Sequence, residues 1–407
     1  MNKFLKEFKD RGYFYQCTNE TELSNLLDKK NINAYIGFDS TASSLHVGSL
    51  LQIMCLRLLQ KHGHRPIVLL GGGTTRIGDP SGKEETRKIL SEKQIEDNIN
   101  NIQRVFKIFL KTKDSKLKPV FVNNYSWLGK LNYIKFLRDI GKHFTINKML
   151  TFDSVKLRLE REQSLSYMEF NYMILQAYDF FELNKAKNCL MQIGGSDQWG
   201  NIVNGVELIK RQSGKQVFGL TTPLITLASG AKMGKTEKGA IWLDKKLLSA
   251  YDYWQFWRNS DDRDVTKFLK MFTDIPLNEI DKIKNNNINE LKILLANKAT
   301  EMLHGKKESQ NSEKLAKATF KDNSSGEDLP SIKINKDILK NNIVEIISHV
   351  NKNISKSEIR RLINSNGIKI NNIKIDNEKF IVDKKLFEEN GFIKLSIGKK
   401  KHFKITV

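Results

Sequence analysis

The chain has 407 residues, 39% of them hydrophobic, and carries 68 Lys/Arg against 46 Asp/Glu for a formal charge of +22. That length fits two or three domains rather than one, and no apolar run reaches the roughly 18–20 residues that span a bilayer, so no membrane segment is expected. The cysteines, Cys17, Cys55 and Cys189, form no C-x-x-C pair and no His/Cys cluster at zinc spacing, which points to a reducing compartment and no structural metal.

The first residues, MNKFLKEFKDRGYFYQC, are amphipathic but include Glu7 and Asp10 and lack an apolar stretch. Neither a secretory signal nor a transit peptide is expected there. Residues 33–38 (NAYIGF) read as a strand, followed by the polar loop DSTASS and a helix from about Leu45 to Lys61. In that helix Val47, Leu51, Met54 and Leu58 recur at helical spacing, and Gly63 supplies a stop. Pro66–Leu70 (PIVLL) reads as a buried strand, which completes a βαβ unit and implies a parallel sheet. KPVFV (118–122) and NCLMQI (188–193) are further buried strands between helical segments. The fold class expected is therefore α/β, a Rossmann-like doubly wound parallel sheet. In such sheets ligands bind at the carboxyl ends of the strands, so chemistry is sought just after each strand.

Five segments answer to that rule or stand out by composition. The first runs from Tyr35 through Asp39, Ser40, Thr41 and His46 to Gly48 and Ser49, where a strand end meets a helix N-terminus whose N–H groups and dipole favour anions. The second, Gly71 to Arg87, gathers glycines with Asp79, Lys83 and Arg87; its spacing does not match a P-loop, and a plain glycine-rich turn is the structural alternative. The third is the helix 171–181, where Tyr172, Gln176 and Asp179 share a face of a helix otherwise built for burial. Buried polar groups without partners cost about 1–3 kcal/mol each, a cost that a hydrogen-bonding ligand or an internal polar network removes. The fourth, Gln192 to Gly200, holds Gly195, Asp197 and Gln198. The fifth, Lys232-Met-Gly-Lys235-Thr236, sets two cations and a hydroxyl on a glycine-bearing loop suited to a leaving polyphosphate, although short basic loops are common.

Beyond about Thr226 the character changes. The loop 227–248 leads to helical segments over 249–320, then a polar linker at 321–330, then a small α+β module over 331–407. That module holds 17 Lys/Arg against 8 Asp/Glu. Ser355 to Glu358 reads as a capping box opening a helix that exposes Arg360 and Arg361. Asn366-Gly367 is a turn, GIKINNIKI alternates as a hairpin, and Lys399, Lys400 and Lys401 form a basic loop. A structured RNA fits this surface better than general solubility does.

Taken together, the segments resemble a class I aminoacyl-tRNA synthetase of the bacterial tyrosyl type. His46-Val-Gly48-Ser49 is similar to the family's H-I-G-H signature and Lys232-Met-Gly-Lys235-Thr236 to its K-M-S-K-S signature. G-G-S-D-Q-W-G-N (194–201) and the segment from Tyr172 to Asp179 resemble its tyrosine-specific stretches, and the tail resembles an S4-type RNA-binding domain. The resemblance runs from about residue 30 to the C-terminus. It implies residues 1–226 as the catalytic domain, 227–248 as the signature loop, an anticodon-side helical domain at 249–320 and an S4-like domain at 331–407. It implies tyrosine, ATP with Mg2+ and tRNA(Tyr) as substrates, no bound cofactor or protein-held metal, a homodimer, and a cytoplasmic location.

By the same resemblance, the tyrosine carboxylate attacks the α-phosphate of ATP, pyrophosphate leaves, and the tRNA 2′-hydroxyl then attacks the tyrosyl adenylate. Thr41, His46, Lys83, Arg87, Lys232, Lys235 and Thr236 would handle phosphate charge. Asp39, Gly48, Ser49, Gly195 and Asp197 would complete the nucleotide site. Tyr35 and Asp179 would take the substrate hydroxyl, Asp79, Tyr172 and Gln176 its ammonium, and Gln198 its carboxylate. Arg360, Arg361 and Lys399–Lys401 would meet tRNA. Two residues depart from the pattern: Ser49 stands where the family has a His that helps hold ribose, and Ser40 replaces a common Pro, a change expected to matter little.

Three other functions stay open on sequence. A tryptophanyl synthetase shares fold and signatures, against which Tyr35 with Asp179 suits a phenol. Another nucleotidyl transferase would not need the S4-like tail. A synthetase-like RNA-binding protein without catalysis would not need Lys232, Lys235, His46 and Asp179.

Overall fold

The computed structural model describes residues 2–79, 90–236, 239–320, 331–335, 338, 341–351, 354–387, 391–398 and 401–406. The chain divides into two compact units, Met1–Gly305 and Lys306–Val407. The expected linker at 321–330 lies outside the described residues.

The first unit is built on a six-stranded sheet: β1 (Gln16–Cys17), β2 (Asn33–Asp39), β3 (Arg65–Gly71), β4 (Val120–Asn123), β5 (Cys189–Gly195) and β6 (Phe218–Thr222). Their order is β1-β6-β5-β2-β3-β4, with all neighbours parallel except β1, which runs antiparallel to β6. The chain builds outward from β2 through β3 and β4, then returns to the other side of β2 with β5 and β6. The reversal of strand order therefore falls between β2 and β5, the place where doubly wound sheets bind ligands. Four of these strands match the expected ones; β6 and the two-residue β1 carry no distinct apolar run and were not anticipated. Cys55 and Cys189 are fully buried, as expected of core cysteines.

The first helix departs from its expected start. Leu45 lies outside any helix, His46 is extended, a 3-10 turn spans Val47–Ser49, and the α-helix begins at Leu50 and ends at Lys61. The cause is a distant segment: Val47 N–H donates to Ile241 O at 2.9 Å and Leu243 N–H to Leu45 O at 2.9 Å, a short ladder that holds the backbone out of the helix. The helix closes at His62 with Gly63 at φ +83°, a left-handed position that favours glycine.

The helix expected over 171–181 is longer, Tyr167–Lys187, with a reciprocal capping box between Ser166 and Glu169 and a left-handed Asn188 at its end. After the sheet come Ala250–Arg258, Val265–Phe272, Leu277–Ile283 and Ile288–His304, the helical region the composition called for. Trp254, Trp257, Phe268 and Phe272 form its core.

The N-terminal helix Lys3–Asp10 is tied to this unit by a charged hub. Glu7 accepts from Arg11 Nε at 2.8 Å, Lys61 Nζ at 2.7 Å and His62 Nε2 at 2.8 Å. Arg11, itself buried, donates to the carbonyls of Lys270, Thr273 and Ile275. Burial pushes the Glu7 carboxyl up, but the bonds from Lys61, Arg11 and His62 outweigh it and hold the group at about 2. Its stabilisation is thus present above the unfolded value of 4.5 and lost as pH falls toward 2. Glu7→Ala leaves a buried guanidinium without its acid and is expected to cost about 2–3 kcal/mol. Denaturant titration at pH 7 and pH 3 checks this, since the difference between variant and parent should shrink at pH 3.

The second unit holds the helices Lys306–Phe320, Ile343–Val350 and Lys356–Asn364 and a five-stranded sheet. In the order β11-β10-β12-β13-β9 these strands are Ile373–Lys374, Ile368–Ile370, Ile393–Ile397, Lys401–Thr406 and Ser331–Lys333. Ile346, Ile347, Ile359, Ile363, Ile368 and Leu395 fill its core. The expected hairpin turns at Asn371-Asn372, both at positive φ, as two-residue hairpin loops require. Ser355 Oγ accepts from Glu358 N–H at 3.2 Å and so caps the helix bearing Arg360 and Arg361. Arg360 pairs with Glu378 at 3.1 Å. Lys399 and Lys400 lie outside the described residues, as does the side chain of Lys401.

Candidate active site

A cleft of ≈ 370 Å³ opens at the carboxyl ends of β2 and β5, lined by Tyr35, Asp39, Thr41, Gly48, Ser49, Asp79, Tyr172, Gln176, Asp179, Gly195, Asp197 and Gln198 among others. Twelve of the residues singled out in the sequence thus share one cavity, although they run from Tyr35 to Gln198 along the chain.

One end is buried and shaped by aromatics. In register across the sheet, Tyr35 sits beside Gln192 of β5, and its ring packs on Phe180 at 5.3 Å. The Tyr35 hydroxyl is buried without a hydrogen-bond partner. Asp179 is 1% exposed and clamped by two donors, Asn124 Nδ2 at 2.9 Å and Trp127 Nε1 at 2.7 Å. Burial pushes its carboxyl up to about 7, helped by the nearby charge of Asp39, while the bonds from Asn124 and Trp127 pull the other way. An orphaned phenol and a clamped carboxyl group thus line the same cleft.

In the middle, Asp39 accepts from Thr74 Oγ1 at 3.0 Å and from the Tyr172 hydroxyl at 3.4 Å. Asn201 Nδ2 donates to Gln176 Oε1 at 3.1 Å and Gln198 Oε1 at 3.0 Å, and Gln198 Nε2 donates to Asp79 Oδ2 at 3.1 Å. Carboxylates and amide oxygens dominate here, which suits an ammonium group. Burial and the neighbouring Asp79 raise the Asp197 carboxyl, opposed in part by Lys232.

At the outer end two signature segments meet through their backbones. The His46 ring folds back so that Nδ1 accepts from Gly48 N–H at 3.0 Å, which leaves the neutral ring's proton on Nε2. His46 therefore caps the 3-10 turn and is not a member of the helix, as the sequence suggested, and it stands beside the cleft rather than in its wall. The loop bearing Lys232 is pinned by Met233 N–H to Ile225 O at 3.0 Å and by a bridge between Thr226 and Lys232. It passes so close to His46 that a methyl group on Gly234 would lie 2.7 Å from Nδ1, and one on Gly48 would lie 2.8 Å from Met233 O. Lys235 and Thr236 form β7, paired with β8 (Gly239–Ala240); the structure describes their backbone and not their side chains. Lys83 and Arg87 fall within 80–89, outside the described residues.

Sequence reading missed Asn124, Trp127, Thr74 and Asn201. Asn124 lies just past β4, where the strand-end rule applied to the other strands would have found it. Thr74 and Asn201 lie inside the segments the sequence singled out, Gly71 to Arg87 and 194–201, though neither was given a role, and Trp127 announces itself only through the partner it meets. Ser40 is less idle than expected: its N–H donates to Thr75 Oγ1 at 2.8 Å, a bond that a proline cannot make.

A model of the family described as tRNA synthetases class I (W and Y) matches residues 27–321, and a model of the tyrosine--tRNA ligase SYY-like C-terminal domain matches residues 322–405. A tyrosine--tRNA ligase of Pelagibacter ubique is 71% identical over 409 residues, covering all of both chains. Another, from Xanthobacter autotrophicus, is 52% identical over 98% of this chain and 96% of its own. Among solved structures, a C-terminally truncated mitochondrial tyrosyl-tRNA synthetase of Aspergillus nidulans superposes with a TM-score of 0.71 at 30% identity, over 78% of this chain and 94% of that one. The chain belongs to the class I tRNA synthetases and, within them, to the tyrosine--tRNA ligase family.

Proposed function

We propose that this chain attaches L-tyrosine to tRNA(Tyr) at the expense of ATP, in two steps through a tyrosyl adenylate, and that the cleft at the β2/β5 switch carries both steps. The observation that supports this most directly is the clamped Asp179 beside the unpartnered Tyr35 hydroxyl, a floor made for a phenol and not for an indole. Tyr35 and Asp179 read the substrate hydroxyl. Asp79, Tyr172 and Gln176 take the ammonium, with Gln198 turned to the carboxylate.

The carboxylate oxygen then lies toward the nucleotide. It attacks the α-phosphorus, a new P–O bond forms, and the bond to the β-phosphate oxygen breaks to release pyrophosphate. In the second step the 2′-hydroxyl of the terminal tRNA ribose attacks the tyrosyl carbonyl and AMP leaves. No covalent bond to the enzyme is needed, so catalysis is positioning and charge stabilisation. Thr41, the Nε2–H of His46 and the turn Gly48–Ser49 meet the phosphates. Lys232, Lys235 and Thr236, with Lys83 and Arg87, stabilise the departing pyrophosphate. Gly195 and Asp197 hold the nucleoside, with Asp39 near the centre. Among the described residues no three His, Cys, Asp or Glu side chains cluster as a metal cage. Mg2+ is assigned to the triphosphate, as its usual sparse protein ligation allows.

Residues 1–226 form the catalytic domain, 227–248 the signature loop, 249–320 the anticodon-side helices and 331–407 an S4-like tRNA module, in which Arg360, Arg361, Lys399, Lys400 and Lys401 engage phosphates. A second copy is assigned as partner: Tyr133, Ile134, Ile146, Leu157, Leu159, Tyr167 and Met168 are exposed on neighbouring stretches of the first unit, an apolar surface that a homodimer would cover. None of the described helices is long and apolar enough to cross a membrane, and the site of action proposed is the cytoplasm.

Tyrosine-dependent ATP–pyrophosphate exchange tests the reading. Exchange is expected with tyrosine and not with tryptophan, and its rate should change little between 50 and 200 mM salt. Charging of tRNA under the same conditions is expected to fall at least tenfold, because each phosphate contact releases counterions. Exchange with tryptophan, or a flat salt response of charging, sinks the assignment of substrate or of the basic module respectively.

A further inference from the structure

The parallel sheet of the first unit is electrically polarised along its strands. The four residues before each of β2 to β6 hold eight lysines and no acid, whereas the four after each hold no cation and one acid, Asp197. With 68 Lys/Arg in 407 residues, composition alone would put about three cations in either set of twenty. Lys29 and Lys30 precede β2, Lys116 and Lys118 precede β4, and Lys185 and Lys187 precede β5. All six are exposed, and none enters an ion pair among the described residues. Hydrogen bonds join them into one rim: Asn33 Nδ2 donates to Lys187 O at 2.6 Å, Arg65 N–H to Ile32 O at 2.9 Å, and Arg65 Nε to Lys118 O at 3.0 Å. The acids nearest in sequence, Asp28, Asp114 and Glu182, bond instead to Asn2 Nδ2, the N–H of Lys116 and the Tyr178 hydroxyl.

We propose that this amino edge of the sheet is a second RNA-binding surface, which takes the phosphate backbone of a double-helical RNA segment and works apart from the cleft. The seven residues of β2 put the two edges about 20 Å apart, and the rim from β5 to β4 crosses three strand spacings, about 15 Å. A duplex carries its charges so densely that several phosphates meet a rim of that width at once. The attraction of cations to helix C-termini accounts for Lys29, Lys185 and Lys187, which sit in last turns. It does not reach Lys116 and Lys118, well past the end of the helix Glu92–Phe109. The twenty residues before the strands include no Phe, Tyr or Trp, so they offer none of the stacking platforms that hold single-stranded bases. No large apolar side chain is exposed among them either, as an anchor in a lipid surface would require. Backbone recognition without base reading is what such a surface supports, and RNA is the duplex-forming polymer on which this family acts.

The full-length protein is titrated with a fluorescent RNA duplex of about 20 base pairs without a CCA end, between about 50 and 200 mM salt. Lys116→Gln, Lys118→Gln, Lys185→Gln and Lys187→Gln, made together, are expected to weaken binding at least tenfold at about 100 mM salt and to flatten the slope of log Kd against log salt by about three to four. The same four lysines changed to Arg should keep the affinity of the unmodified chain, which separates lost charge from lost folding. Tyrosine-dependent pyrophosphate exchange and kcat/KM for tRNA charging should stay unchanged in both variants. With the duplex bound, these four lysines should be protected from acetylation, which places the contact on the first unit and not on the basic tail. Unchanged duplex affinity in the Gln variant overturns the proposal. So does a parallel fall in charging, which would make the rim a docking site for the substrate tRNA. Equal affinity for the matching DNA duplex would leave plain polyanion attraction, and binding of anionic vesicles in place of the RNA would make the partner a membrane; either result also overturns it.

Discussion

Asp179→Ala is expected to lower the preference for tyrosine over phenylalanine by about a hundredfold, measured as the ratio of kcat/KM in pyrophosphate exchange. Hydrogen bonds to a charged acceptor are worth about 1.5–3 kcal/mol, and a buried partner left unpaired adds to the loss. The carboxylate cannot swing to another role, because Asn124 and Trp127 each hold one of its oxygens. Asp179 and Tyr35 line the same cleft, and the role proposed for the pair is to receive the phenol proton. Only the ionised form is acceptor-only. Since burial raises the group to about 7, kcat/KM for tyrosine should climb with pH and level off above about 7, while phenylalanine shows no such limb. Stability runs the other way. A carboxyl raised from 3.8 to about 7 on folding favours the folded state most below 3.8, and that advantage is lost as pH rises through 7. The parent should therefore lose stability as pH rises toward 7, a slope that Asp179→Ala flattens, whereas Asp179→Asn would set an amide NH2 against one of the two donors and gain nothing. A variant with Tyr/Phe discrimination intact would remove Asp179 from the recognition of the hydroxyl.

The sheet was legible because parallel strands buried on both faces read as short apolar runs, as PIVLL does. From there the rule that ligands gather past strand ends led to Asp39, Asp79 and Asp197 without any knowledge of contacts. The helical stripe of Tyr172, Gln176 and Asp179 was legible for a different reason: three polar groups on one side of an apolar helix need something to bond. What sequence could not convey is long-range pairing. Nothing local says that Leu45 and Val47 bond to Ile241 and Leu243, so the helix appeared to begin five residues early and His46 appeared to sit on it. Asn124 and Trp127 act by holding Asp179 from 55 and 52 positions away.

Gly234→Ala is expected to slow adenylate formation roughly a hundredfold while leaving the dissociation constant of tyrosine unchanged, the scale on which a lost preorganised contact acts in a transition state. Two effects combine at this residue. Its φ of +113° is a conformation that side chains rarely adopt, a strain on the order of 1–3 kcal/mol. The added methyl would also lie 2.7 Å from His46 Nδ1 and 3.0 Å from Gly48 N, and the second of these is backbone that cannot swing aside. The loop must then retreat, yet Met233 N–H is bonded to Ile225 O on one side and Ile241 N–H to Gly234 O on the other. Retreat breaks that frame and shifts the backbone of the adjacent Lys235, the residue proposed to stabilise the departing pyrophosphate, while Tyr35 and Asp179, in the buried end of the cleft, are untouched. Gly230 separates strain from collision: it sits in the same loop at φ +82° with nothing within 4 Å of an added methyl. Gly230→Ala carries the strain alone and should cost far less in single-turnover adenylate formation. If the two variants lost rate equally, backbone strain in the loop would be the whole effect, and the close approach of the two signature segments would have no part in the chemistry.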